Sequence, residues 1–107
     1  MAKKNTTKEI IKLVSNYGEL IKKNGISFDH LILFGSYAKN LERKSSDIDV
    51  CVVSDTFTDE HKAQVNLSKL TWNFDTRIEP HPISLFDYSN NSTPFINEIR
   101  KYGILVS

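Results

Sequence analysis

The 107 residues predict an α+β fold: a mixed β-sheet of four or five strands with helices packed mainly on one face. Two observations predict it. Segments of helical period alternate with apolar, β-forming runs in the order αβαβαβα, and "ILVS" is available as a last short strand. One strand, "DIDVCVVS", turns apolar residues to one side and carboxylates to the other, so one face packs on helices and the other stays open. A chain of this length suits one domain, residues 1–107, able to bury one core but too small for a separate substrate-binding domain.

Thr6 and Glu9 have capping-box spacing, and Ile10, Leu13, Val14, Tyr17, Leu20 and Ile21 recur at helical period until Asn24 and Gly25, which predicts a helix over 7–24. "ISFDHLILF" is a strand that stops at Gly35; a short helix from Ser36 to Leu41 then leads into "DIDVCVVS". Thr58 is placed to cap a second long helix whose apolar side carries Ala63, Leu67, Leu70 and Phe74. "TRIEPHPIS" alternates as a strand, and Pro80 and Pro82, which cannot donate to a ladder, assign it to a sheet edge or to a bulge there. In "STPFINEIRKYG", Thr93 is the cap, Pro94 the first helical residue and Gly103 the stop. Tyr17 and Trp72 are expected in the core.

Fourteen Lys and Arg against thirteen Asp and Glu give no basic footprint for nucleic acid. "MAKKNTTKE" has no apolar leader and no run of about twenty apolar residues follows, so a cytoplasmic protein without a membrane partner is expected. The one cysteine, Cys51, excludes an internal disulfide framework and reads as a small buried strand residue. His30, His61 and His81 match no metal-binding spacing and read as surface or partly buried side chains, although His81 shares a strand face with Glu79.

Chemistry concentrates in "FGSYAKNLERKSSDIDVCVVS". Asp47, Asp49 and Cys51 share one face of their strand. Two carboxylates about 4 Å apart at an effective dielectric of 20 repel by roughly 4 kcal/mol, a repulsion that a divalent cation removes. Magnesium fits, because it takes oxygen ligands and joins one or two carboxylates to substrate phosphates. Glu79 offers a third carboxylate, and three carboxylates from two strands suit a two-metal phosphoryl or nucleotidyl transfer site. Gly35 and Ser36 stand where a strand turns toward a helix, a position for anion-binding N–H groups, and Lys39 follows one turn later.

Gly-Ser, ten residues, then Asp-x-Asp after an apolar strand resembles the signature of the DNA polymerase β-like nucleotidyltransferase superfamily. More narrowly, the chain resembles the minimal nucleotidyltransferase domains paired with HEPN partners in toxin–antitoxin systems; "LILFGSYAKN", "SSDIDVCVV", "RIEPHPIS" and "INEIRKYGILV" follow that order. The resemblance implies that Gly35 and Ser36 bind a nucleoside triphosphate and that Asp47, Asp49 and Glu79 hold two Mg2+ ions, with Asp49 and Glu79 nearest the attacking hydroxyl. It implies transfer of AMP from ATP to a tyrosine of a HEPN toxin. The alternatives are a non-catalytic antitoxin that works by contact, and the catalytic subunit of a small-molecule nucleotidyltransferase of the aminoglycoside-modifying kind. The chain departs from the common Ala-Arg-Gly continuation with Ala38, Lys39 and Asn40, losing arginine's bidentate fork, and carries Glu where Asp is common as third carboxylate.

Overall fold

The strand His30–Phe34 (β1) is buried at four consecutive residues, because both of its faces are covered. Leu31 and Leu33 face a core shared with the helices Ala2–Lys23 (α1) and Glu60–Thr71 (α2), while Ile32 and Phe34 join a second, smaller core with Ile96 and Ile99. These coordinates, a computed structural model, describe residues 2–107, with side chains from residue 7 onward. Beside β1 lies Ile48–Ser54 (β2), then Ile78–Ser84 (β3); Ile104–Leu105 (β4) closes the other edge, giving the order β3-β2-β1-β4. β2 and β4 run antiparallel to β1, and β3 runs parallel to β2. The sheet is therefore mixed and four-stranded, with the two long helices on one face. The helices Leu85–Asn90 (α3) and Pro94–Tyr102 (α4) supply the cover on the other.

Most elements sit where the sequence places them. β3 is an edge strand as its prolines require, and the Pro80 carbonyl accepts a hydrogen bond from Gln64 of α2 at 2.7 Å. Thr93 caps α4 by accepting from the Ile96 N–H, Pro94 opens that helix and Gly103 ends it. Cys51 is fully buried, and burial pushes its thiol up to about 12. Tyr17 is fully buried, its hydroxyl donating to the Leu67 carbonyl at 2.8 Å, which ties α1 to α2.

Five expectations are corrected. α1 begins at Ala2, a turn before the expected cap at Thr6, whose side chain lies outside the described residues. Asp59 rather than Thr58 caps α2, accepting from the Lys62 N–H at 3.1 Å; a carboxylate there also faces the positive end of the helix. Trp72 is 66% exposed: it caps the end of α2 with helical backbone angles, and its indole falls on the solvent side of the helix. α3 was not foreseen: its six residues are too few to show a period, and Ser84 caps it by accepting from the Asp87 N–H.

The fifth concerns 36–41, which form a single turn and no helix. The N–H of Leu41 reaches the Ser36 carbonyl and that of Asn40 reaches the Tyr37 carbonyl, the bond pair of a Schellman ending, with Asn40 in the left-handed region at φ 62°. The turn is thus terminated as soon as it is made. Asn40→Ala should lower stability by about 1 kcal/mol, read as a fall in melting temperature, since alanine tolerates this conformation less well than asparagine.

Candidate active site

Strand register assembles the site. Phe34 at the end of β1 pairs with Asp49 of β2, and across the parallel ladder Asp49 pairs with Glu79 and Cys51 with His81. Asp49, Glu79 and His81 consequently share one face, each offering a ligand atom within 4.8 Å of the others. The His81 Nε2 lies 3.2 Å from Asp49 Oδ1 and 3.1 Å from Glu79 Oε1. The site is half open: the side chains of Asp49 and His81 are about a quarter exposed and that of Glu79 about half.

Asp47 stands exposed one residue before β2 begins and is not part of that three-residue cluster. Its carboxylate is nevertheless felt by Glu79. Burial pushes the Glu79 carboxyl above the usual range, His81 opposes this, and Asp49 and Asp47 add to it, Asp47 also through a side-chain hydrogen bond. The folded chain without a cation therefore keeps a proton on Glu79 that the unfolded chain releases earlier. Its stabilising contribution is present below the ordinary glutamate value of about 4.3 and is lost as pH rises through the raised folded value. Without divalent cation, the wild type should lose melting temperature relative to Glu79→Gln over that rise, and a divalent cation should close the gap.

Gly35 brings the turn against the carboxylates. Its φ is +76°, and a Cβ built there would lie 2.3 Å from Asp49 Oδ2 and 3.2 Å from its Cγ, so only glycine fits beside this side chain. The turn's own hydrogen bonds use the N–H groups of Lys39, Asn40 and Leu41, whereas those of Ser36, Tyr37 and Ala38 find no backbone acceptor among the described residues. N–H groups left over in a tight turn beside Asp49 are the kind of donors that an anion-binding turn would use. Lys39 is turned to α4: its Nζ lies 3.3 Å from Glu98 Oε1 and 4.9 Å from the centre of the Tyr102 ring.

An aromatic wall backs the site. Phe34 meets His81 edge to face with ring centres 5.0 Å apart, and Phe95 of α4 lies 5.3 Å from Phe34 and 5.9 Å from His81. Phe95, Glu98 and Tyr102 of α4 escaped sequence reasoning, because nothing in a helical period says which end of the sheet a helix covers. The shared face of Glu79 and His81 was the available signal for the histidine. Arg77, on that same alternation, instead forks onto Asp75 at 3.1 and 2.8 Å. Two clefts, of about 350 and 640 Å3, both bordered by Phe57 and Thr58, lie at the opposite end of the sheet from the carboxylates.

The cluster of Asp49, Glu79 and His81 could hold a divalent cation, and the Asp47 carboxylate stands close enough to be felt by Glu79. Among known proteins, the family described as polymerase beta, nucleotidyltransferase, is matched over residues 8–107. No curated protein matches the sequence. Similar folds occur in a toxin–antitoxin crystallised with AMP-PNP (23% identity, TM-score 0.62, 83% of this chain and 68% of that one). They occur too in a double Asp-to-Glu mutant of the toxin–antitoxin MntA-HpeT (21%, 0.62, with the same 83% and 68% coverage). A protein from Sulfolobus solfataricus assigned as a nucleotidyltransferase covers 98% of this chain and 86% of its own, at 15% identity and TM-score 0.69. At these identities the likeness is one of fold.

Proposed function

The chain belongs to the polymerase beta nucleotidyltransferase family, and from that premise we propose that it moves AMP from ATP to a tyrosine hydroxyl of a partner HEPN toxin, acting as the antitoxin. One observation supports the catalytic reading: Gly35 packs directly on Asp49, which in this reading joins an anion-binding turn and cation-binding carboxylates in one site. Support for the toxin–antitoxin setting comes from the fold neighbours, one of them crystallised with an ATP analogue. No described helix is long and apolar enough to cross a membrane.

In this reading Asp47, Asp49 and Glu79 hold two magnesium ions, which when bound neutralise the triphosphate and lower the pKa of the acceptor hydroxyl. The N–H groups of Ser36, Tyr37 and Ala38, with the Ser36 hydroxyl, bind the β- and γ-phosphate oxygens and hold the α-phosphorus beside Asp49. Lys39 joins them on leaving Glu98. The acceptor oxygen attacks the α-phosphorus; a P–O bond to the acceptor forms, the bond to the β-phosphate bridging oxygen breaks, and pyrophosphate leaves. Glu79, beside the attacking hydroxyl in this reading, assists in taking its proton. The open site, with Glu79 half exposed, suits a macromolecular acceptor that brings its own cover.

Label transfer from ATP carrying its label on the α-phosphate, in lysate of the source cells, tests the acceptor class. A labelled protein band supports the proposal. Label confined to small molecules would replace the toxin tyrosine with a small-molecule acceptor, and absence of label in both fractions would favour a non-catalytic antitoxin.

A further inference from the structure

His81 contributes the one nitrogen donor to a cluster otherwise made of carboxylates. We infer that His81 is a ligand of the cation held between Asp49 and Glu79, and that it makes this position prefer a first-row transition ion such as Mn2+ over Mg2+. The inference rests on reading the carboxylates as the metal site of the proposed reaction.

Geometry is the first argument. Adjacent ligand atoms around an octahedral ion with bonds of about 2.1 Å lie roughly 3.0 Å apart. The Nε2 of His81 stands 3.2 Å from Asp49 Oδ1 and 3.1 Å from Glu79 Oε1, the spacing of neighbouring ligands on one ion. Support of the ring is the second argument. Phe34 packs edge to face against it at 5.0 Å and Phe95 closes a further side at 5.9 Å, so the imidazole is held with Nε2 toward the carboxylates. The strand supplies the third: residues two apart on β3 share a face, and the ladder sets Glu79 opposite Asp49 and His81 opposite the small, buried Cys51.

The consequence is chemical. Magnesium takes oxygen ligands and gives up water reluctantly, whereas imidazole suits the first-row divalent ions. A mixed set of two carboxylates and one imidazole therefore discriminates in a way that three carboxylates do not.

The test is calorimetric titration of the purified chain with MnCl2 and with MgCl2, for wild type, His81→Gln and His81→Asn, each first shown to melt cooperatively. Wild type should bind Mn2+ about a hundredfold more tightly than Mg2+. Both variants should lose about tenfold or more in Mn2+ affinity, while their Mg2+ affinity stays within about threefold, a loss of the size seen when a group supporting a metal is removed. Equal losses for the two ions, unchanged Mn2+ affinity in the variants, or a wild type with no preference would each overturn the inference. Label transfer reads the reaction separately: His81→Gln that still transfers label with unchanged metal preference overturns the role of His81 and leaves the proposed function standing.

Discussion

Asp49→Asn should lower nucleotidyl transfer by about a thousandfold or more, equivalent to roughly 4 kcal/mol of transition-state stabilisation. The effect is large because Asp49 serves every part of the site. It faces Glu79 across the ladder, lies 3.2 Å from the His81 Nε2, and is the side chain on which Gly35 packs. Asparagine keeps the shape but removes the charge that would hold a divalent cation. The fold should survive, since Asp49 is a quarter exposed and its loss relieves a cluster of like charges. A steady-state rate with ATP and the acceptor, beside a melting curve, separates the two effects.

Gly35→Ala should cost about a hundredfold or more in activity together with about 1–2 kcal/mol of stability. Two terms add at this position: a positive φ of 76°, and a Cβ 2.3 Å from Asp49 Oδ2 that must push the carboxylate aside. Gly25→Ala is the control. Its φ is +80° but a Cβ there meets nothing within 4 Å, so it should lose only the stability that the positive φ accounts for and retain activity. If both variants keep activity, the close approach of Gly35 to Asp49 has no catalytic consequence.

Comparison of these two glycines indicates what the sequence carried. The pair Gly35-Ser36 and the spacing to Asp47 and Asp49 were legible because a positive-φ turn and a strand alternation each leave a mark on residue type. Pro80 and Pro82 marked the edge strand for the same reason, and Thr93, Pro94 and Gly103 marked a helix by its ends. What was illegible depends on tertiary placement. The turn at 36–41 contains good helix formers, yet Asn40 ends it after one turn. Trp72 stands at the end of α2 with its indole in solvent, a placement that composition alone does not show. His81 was ambiguous, since the same alternation that put it beside Glu79 put Arg77 there too, and only the structure shows Arg77 committed to Asp75.

In the proposed reaction a nucleoside monophosphate is transferred through the Asp47–Asp49 site. The most direct measurement incubates wild type and the Asp47→Asn, Asp49→Asn double variant with source-cell lysate and a divalent cation, using ATP labelled on the α-phosphate in one set and on the γ-phosphate in the other. Wild type should transfer the α-label to a protein, leave the γ-label in pyrophosphate, and lose the transfer in the double variant. Transfer of the γ-label instead, or α-label transfer that persists undiminished in the double variant, would contradict the account.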